Sequence, residues 1–514
     1  MKNNLIFCCL ITFLCISCTA KLPSDYQSIN RAPSLYPDYT NLSIPWNIAP
    51  LNFLIKEPGD DFISVAYSRK GDKLQVDGQK VEWNLQKWHQ LLEDNKGDTL
   101  YVDIYVKGND RWHKFSTIRN YIAPENIDDY ISYRLIEPSY TIYEYLTINQ
   151  RNLTNFKEEV IYNNSLLSKG EDGQCINCHS YQNYNKTGKM QFHVRQNKGG
   201  TVIVTPNGIK KVDLKTEYTM SGGVYPAWHP YKNLIAYSVN DIRQYFHDYN
   251  KEKVEVMDLK SDLILYDVDK NEVREISADP NELKTFPAWS PDGKYLYYVA
   301  AQYPQKSTSG DTIRKNYKKY YYNIYRKAFN PQTLEFGNTE MIFDAASIHK
   351  SATFPRVSPN GKYLLFTLGE YGNFHIWHKS SDLYLIDLSN RGVSPMTELN
   401  SPDVDSYHSW SSNGNWIIFS SRREDGSYTR PYIAYFKNGK GHKPFVLPQK
   451  DPNFYTALFK SFNIPEFMVK PVAATQRQLI QAIDKKPTKA TFYNPKNKQA
   501  LKKDTIDAKH YFNK

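Results

Sequence analysis

One short segment recurs along the second half of this chain, and it limits the fold more than any other feature. Tyr225-Pro-Ala-Trp-His-Pro230 returns as Phe286-Pro-Ala-Trp-Ser-Pro-Asp-Gly293, as Phe354-Pro-Arg-Val-Ser-Pro-Asn-Gly361 and as Tyr407-His-Ser-Trp-Ser-Ser-Asn-Gly414. A strand pattern follows each copy: Leu234-Ile-Ala-Tyr237, Tyr295-Leu-Tyr-Tyr298, Tyr363-Leu-Leu-Phe366 and Trp416-Ile-Ile-Phe419. Most units then carry a further strand, such as Asp262 to Asp267 or Asp382 to Asp387. The aligned positions 228, 289, 357 and 410 are 61, 68 and 53 residues apart. A strand-turn-strand unit cannot bury both faces of its sheet alone. Repeated at this spacing, it is expected to stack into the blades of a β-propeller.

The repeat resembles that of TolB-like propellers, whose motif runs aromatic-Pro-x-Trp-Ser-Pro-Asp-Gly-Lys into a strand. The resemblance covers about residues 175 to 450 and implies that the motif forms the innermost strand and its turn, with Trp packed between blades. A fifth, degenerate unit aligns Thr187-Gly-Lys-Met-Gln-Phe-His-Val-Arg195 with Asp292 to Ala300. Five blades are therefore legible, and a sixth would come from segments that do not align. The expected fold is mainly β: a TolB-like β-propeller preceded by a small β-rich domain.

The chain begins with a different signal. Lys2 precedes an apolar run from Leu5 to Ile16 that is too short to span a bilayer, then Leu-Cys-Ile-Ser-Cys ending at Cys18. This resembles a bacterial lipobox, which implies a signal peptide over 1–17 and lipid on Cys18, although Cys15 stands where that family usually has Leu, Val or Ile. The alternative is an ordinary secretory signal ending at Cys18. The lipoprotein reading places the chain in the envelope of a diderm bacterium, on the outer membrane and facing the periplasm. Pro, Ser, Asn and Tyr over 18–45 suggest a tether. Alternating strands over 46–138, such as Phe62 to Tyr67 and Thr99 to Val106, flank one helical stretch, Leu85 to Asp94, and suggest a sandwich-like domain. Residues 139–174 are expected to be a connector, 175–450 the propeller, and 451–514 a C-terminal extension with a basic tail.

The chemistry concentrates in Cys175-Ile-Asn-Cys-His179. Cys-x-x-Cys-His is the attachment sequence of c-type haem: two thiols add to the porphyrin vinyl groups and the next imidazole reaches the iron. The resemblance to c-type cytochromes is limited to these five residues. It implies one covalent haem c held by Cys175 and Cys178, with His179 as proximal ligand. Three other readings exist. A redox Cys-x-x-Cys wants a βαβ setting and a structural zinc wants a second Cys pair, neither of which is visible, while a local disulfide is compatible with export. Counting back from Gly188 places the motif in the loop before the first blade. That loop shares a face with the long connections 239–261, 300–319 and 369–381. Candidates for the second axial position are Met190, Met220, His247, His349, His378 and His408. His193 falls where the other blades have a core aromatic.

Other classes are disfavoured. The 514 residues carry a net charge of +11, but Lys470 to Lys514 holds eleven Lys/Arg against three Asp, so the remainder is nearly neutral and nucleic-acid binding is not indicated. There is no Gly-x-Ser-x-Gly, P-loop or dinucleotide motif, no catalytic residue is assigned, and no small-molecule substrate is identifiable. The expected role is electron transfer or redox/ligand sensing through a docked redox or envelope protein. The alternative is a haem-free propeller lipoprotein that binds protein or glycan.

Overall fold

The computed structural model describes residues 20–137, 143–168, 174–247, 252–277, 279, 281–304 and 309–493. The predicted signal peptide and Cys18 lie outside these residues, as does the end of the basic tail. Among the described residues no helix is long and apolar enough to cross a membrane.

Six antiparallel sheets form the propeller. Blade one contains Ile176–Tyr181, Met190–Val194, Gly200–Thr205 and Gly208–Asp213, and blade two Val224–Trp228, Leu234–Phe246, Val254–Asp267 and Glu272–Ser277. Blades three, four and five start from innermost strands Glu282–Trp289, Ser351–Val357 and Asp405–Trp410. Blade six is composite. Its innermost strand, Ser461–Met468, pairs with Tyr130–Ile136, which pairs with Thr147–Asn152 and then Glu158–Asn163. The ring is thus closed by a C-terminal strand laid on three N-terminal ones. The count is six, and three expected boundaries are corrected. Residues 130–163 are blade strands rather than the end of a domain and a connector, and 461–468 belongs to the propeller rather than to an extension. The closing strand escaped notice because Ile464-Pro-Glu-Phe467 keeps the Pro of the repeat but lacks its Trp and its turn.

The N-terminal unit is a seven-stranded sheet that includes Asp61–Tyr67 paired with Thr99–Gly108. Helix Leu85–Asp94 forms where the periodicity places it. Asn84 caps it by accepting from the Lys87 N–H at 3.1 Å, and Trp88, Leu91 and Leu92 are buried. The expected tether is folded from residue 20 onward: Ser43–Pro45 runs parallel to Tyr121–Ala123, with Tyr39, Leu42 and Ile44 buried. Pro and Asn suggested a linker, but the apolar residues between them fill one core that also contains Trp416, Ile418 and Phe419 of blade five. The N-terminal unit is therefore built onto the propeller. Asn52 donates to the Lys450 carbonyl at 2.9 Å and Trp416 to the Asn126 carbonyl at 3.0 Å across that junction.

The C-terminal segment is also docked over its described part. Helix Gln476–Asp484 starts from a Thr475/Gln478 capping box and buries Leu479 and Ile483 against blade one. Thr488–Lys489 and Thr491–Phe492 then add parallel outer strands to blades one and two.

Candidate functional site

Each innermost strand breaks its pairing at the same place. The register shifts between Asn177 and Ser180, Val224 and Ala227, Thr285 and Ala288, Thr353 and Arg356, Ser406 and Ser409, and opposite Ser132/Arg134 in blade six. The first bulged residue is left-handed in all six blades: Cys178, Tyr225, Phe286, Phe354, Tyr407 and Ile464, with φ between 48° and 53°. A bulge re-aims side chains that a regular strand would bury between blades. Here the two residues of each bulge, which oppose a single residue of the next strand, line a central channel.

This corrects the expected position of the haem motif. Cys178-His-Ser-Tyr181 occupies the place of Tyr225-Pro-Ala-Trp228 and Tyr407-His-Ser-Trp410, so the motif lies in an innermost strand and not in an inter-blade loop. His-Ser followed by a large aromatic, shared with blade five, was the signal that would have shown it. The slip arose from the turn. Blade one connects its first two strands through Gln182–Asn185, where Asn183, Tyr184 and Asn185 all have positive φ, and this turn is longer than its counterparts. Phe192 consequently takes the core-aromatic place of Tyr237, and His193 stands one residue further, opposite Asn177.

Tyr225, Phe286, Phe354 and Tyr407 form a chain of ring contacts at 4.2, 4.3 and 4.7 Å between centroids, which plugs most of the channel's width. Cys178 and Ile464 complete that level. The next level holds His179, Pro226, Pro287, Pro355, His408 and Pro465. The one after it holds Ser180, Ala227, Ala288, Arg356, Ser409 and Glu466. The channel then opens on the turn face into a funnel of about 370 Å³, walled by Trp228, Trp289, Trp410, Tyr181 and Tyr184.

The motif is tightly held. Cys178 and His179 are 3% and 2% exposed. Asn177 accepts from the Cys178 N–H at 2.8 Å, and Gln191 donates to the Cys178 carbonyl. Arg134 of blade six is buried against the strand, donating to the Ile176 carbonyl at 3.2 Å and to Asn177. Burial pushes the His179 imidazole down to about 3, and the Arg134 charge adds to the effect. Neither His179 nitrogen makes a well-formed hydrogen bond; the ring has only a poorly aligned contact with the Ile464 backbone. Cys175 points elsewhere. It packs with the core between blades six and one, burial raises its thiol pKa, and both cysteines are free thiols.

A covalent haem requires both thiols and the imidazole around one porphyrin-sized space. His179 suits a metal chemically, being neutral with uncommitted nitrogens. The space does not suit a porphyrin. The cavity beside Cys178 and His179 holds about 40 Å³, whereas sites for molecules of this size measure about 300–1,000 Å³. With Cys175 turned into the neighbouring core, the motif as folded does not cradle the group.

The expected second ligands are dispersed. Met190 is buried in the blade-one core and Met220 packs beside blade two. His247 lies at the end of a long ribbon, and His349 is exposed at a left-handed helix cap. His378 bonds Glu255 at 3.0 Å. Only His408 shares the cavity of His179; its Nε2 meets the Leu365 carbonyl at 3.0 Å, and burial lowers its pKa to about 3. Among the described residues no group of three or more His, Cys, Asp or Glu is arranged to hold a metal.

The long connections do gather on one face, as expected. Asp258 accepts from Tyr322 at 3.1 Å and from Asn373 at 2.6 Å, and the Glu255–His378 contact ties two of these three segments together again. Burial raises Asp258 to about 6. Sequence reasoning missed Arg356 and Glu466, since nothing in a repeat of Pro-Ala-Trp marks its Arg and Glu substitutions as channel residues. Burial raises Glu466 to about 7, while Arg356 pulls in the opposite direction.

The class is thus defined by the fold of the described residues: mainly β, a six-bladed propeller closed by its own C-terminal strand, with a β-rich unit built onto it. No family model and no curated protein matches the chain. Similar solved structures include TolB from Acinetobacter baumannii, with 11% identity over 72% of this chain and 79% of that one and a TM-score of 0.42. Prolyl oligopeptidase B from Galerina marginata has 10% identity over 76% and 54%, with a TM-score of 0.36. The periplasmic gluconolactonase of Pseudomonas aeruginosa has 10% identity over 61% and 68%, with a TM-score of 0.28. These likenesses concern blade architecture and carry nothing about activity.

Proposed function

We propose that this chain is an exported, lipid-anchored binding propeller of the bacterial envelope, working through a ligand or partner held at the turn face of its channel. The observation that carries this reading is a contrast of spaces. The funnel offers about 370 Å³ above Arg356 and Glu466, which share no ion pair within 4.0 Å, whereas the cavity beside the Cys-x-x-Cys-His strand holds about 40 Å³. In this reading Cys178 and His179 are channel-lining residues of blade one, and Cys175 is a packing residue. Anchoring rests on Cys18: radiolabelled palmitate is expected to enter the wild-type chain in cells and to be absent from Cys18→Ser, and labelling of both or of neither would refute the anchor.

The buried, neutral imidazole of His179, which makes no well-formed hydrogen bond, favours a second reading, a covalent haem c serving electron transfer or redox sensing with a docked partner. It would require blade one to present Cys175, Cys178 and His179 to a common, larger space than the one described. A pyridine haemochrome spectrum of acid-acetone-washed protein, matured with c-type assembly machinery, separates the two. A c-type band in the wild type that is lost in Cys175→Ala/Cys178→Ala would replace the first reading with the second. No band, under conditions that mature a known cytochrome, removes the second.

A further inference from the structure

Resting on the binding reading above, we infer that the funnel is a site for a carboxylated sugar at the end of a glycan, its carboxylate on Arg356, a ring hydroxyl on Glu466, and a ring face against the Tyr side chains of the wall.

The floor carries the first argument. Arg356 and Glu466 stand at the same level of the channel on blades four and six, with Ser409 of blade five between them. Among the described residues no ion pair within 4.0 Å joins them. Arg356 donates only to the neighbouring Pro355 carbonyl at 3.3 Å, and one Glu466 oxygen is buried without a hydrogen-bond partner. A guanidinium and a carboxyl group withdrawn from bulk water, near enough to feel each other but without a direct hydrogen bond between them, are costly unless something bridges them. The bridging species needs an anion for a planar guanidinium and, a few ångströms away, a donor for a carboxylate. A hexuronic acid presents both on one ring.

The wall carries the second argument. Trp289 and Trp410 spend their indole N–H groups on the preceding blade, donating to the Ala227 and Arg356 carbonyls at 3.1 and 3.0 Å. Trp228, 7% exposed, lines the same funnel with its N–H buried and unpartnered. Between the rings the wall is made of hydroxyls and amides, including Ser409, Ser412 and Asn183. The three indoles are 3–9% exposed and packed between blades, so the open ring surface comes from Tyr231, 69% exposed, with the half-buried Tyr181 and Tyr184. That surface with scattered hydroxyl and amide partners suits the C–H faces and equatorial hydroxyls of a pyranose.

The third argument is continuity. Tyr231, Ser290, Pro291 and Pro359 border both the funnel and an open groove of about 560 Å³ that runs outward between blades three and four. Tyr295, stacked under Arg326 at 4.3 Å, and Asp292, Asn360 and Lys362 line that groove. An end-bound glycan would leave along it.

The test uses the full chain without its signal peptide and follows tryptophan fluorescence and calorimetry. The probes are α-1,4-linked trigalacturonate, maltotriose as the neutral counterpart, and a tripeptide with free or amidated C-terminus. Trigalacturonate is expected to bind saturably and at least tenfold more tightly than maltotriose. Arg356→Gln should weaken it at least tenfold and abolish the preference, while Trp228→Phe should weaken both sugars alike. Thermal melts of each variant establish that it is folded. Equal binding of the two sugars, or an undiminished preference in Arg356→Gln, overturns the assignment. Tight binding of the free-carboxylate peptide in place of the sugars also overturns it but leaves the binding propeller standing. If no probe binds and the haemochrome assay is positive, both readings fall together.

Discussion

Replacing Phe462 by Ala tests whether the ring is closed where the sheet pairing places the seam. Phe462 belongs to the only blade-six strand that comes from the C-terminal side. Its ring is 1% exposed and lies 4.7 Å from that of Tyr133. Its backbone N–H donates to Thr429 of blade five at 3.0 Å, and its carbonyl accepts from Thr429 and Ser420. Removing a buried Phe costs about 3–5 kcal/mol, and losing the ring pair adds ~1 kcal/mol. Deleting the whole strand would strip Phe462, Phe467 and Met468, at about 2–3 kcal/mol each, against a total stability on the order of 5–15 kcal/mol. Urea unfolding followed by tryptophan fluorescence and by far-UV circular dichroism should show a large drop in midpoint for Phe462→Ala, with the two probes still coincident. Phe459→Ala, three residues earlier and 68% exposed, is the control and should stay within about 0.5 kcal/mol of wild type. If the two variants unfold alike, or if a chain ending before Ser461 keeps the wild-type midpoint, the closure argument is wrong.

Acid should weaken the fold. His179, His193, His375 and His408 are each held near 3 by burial, so below pH 6.5 the unfolded chain takes protons that the native chain refuses. Their contribution is full above pH 6.5 and drains as pH falls toward 3. Between pH 6.5 and 5 each costs about 2 kcal/mol. Glu466 near 7 and Asp258 and Asp382 near 6 act oppositely, since their contribution is present at low pH and lost as pH rises, but they only partly offset four histidines. Melting temperatures at pH 7.5 and 5 should therefore fall, and a flat profile would contradict the burial. Gly293→Ala should cost about 2–3 kcal/mol, because φ is +69° and the new Cβ would lie 2.5 Å from the His229 ring; a thermal melt measures it. Glu255→Gln should cost about 1–3 kcal/mol and speed hydrogen exchange in residues 369–381, with blade strands unaffected.

The repeats made the propeller legible because each carries its own turn chemistry. Pro and Asp-Gly or Asn-Gly fix the geometry locally, and Trp marks the contact between blades. Helix Leu85–Asp94 was legible through the periodicity of its apolar residues. Blade six was not, since its strands come from both ends of the propeller sequence and its inner strand has no turn motif of its own. Residues 20–45 were misread because linker composition says nothing about a neighbouring sheet edge. At the site, the sequence located Cys175, Cys178 and His179 as unusual residues. It could not show that a bulge turns Cys178 and His179 into a channel while Cys175 packs elsewhere. Arg134, Gln191, Arg356 and Glu466 carried no signal at all, because their roles depend on blades that meet only in three dimensions.

The composite blade also has a kinetic consequence. The pairing of Tyr130–Ile136 with Ser461–Met468 joins strands more than 300 residues apart in sequence, and such contacts carry a large loop-closure cost before they return any stability. During synthesis, Tyr130–Ile136 must wait with an unpaired edge until Ser461–Met468 has emerged. That edge is buried apolar sequence, with Ile131 and Tyr133 fully covered in the finished molecule. A chain that folds last at its own seam spends its vulnerable interval as an open ring, exposed to pairing with a second copy or to capture by a chaperone.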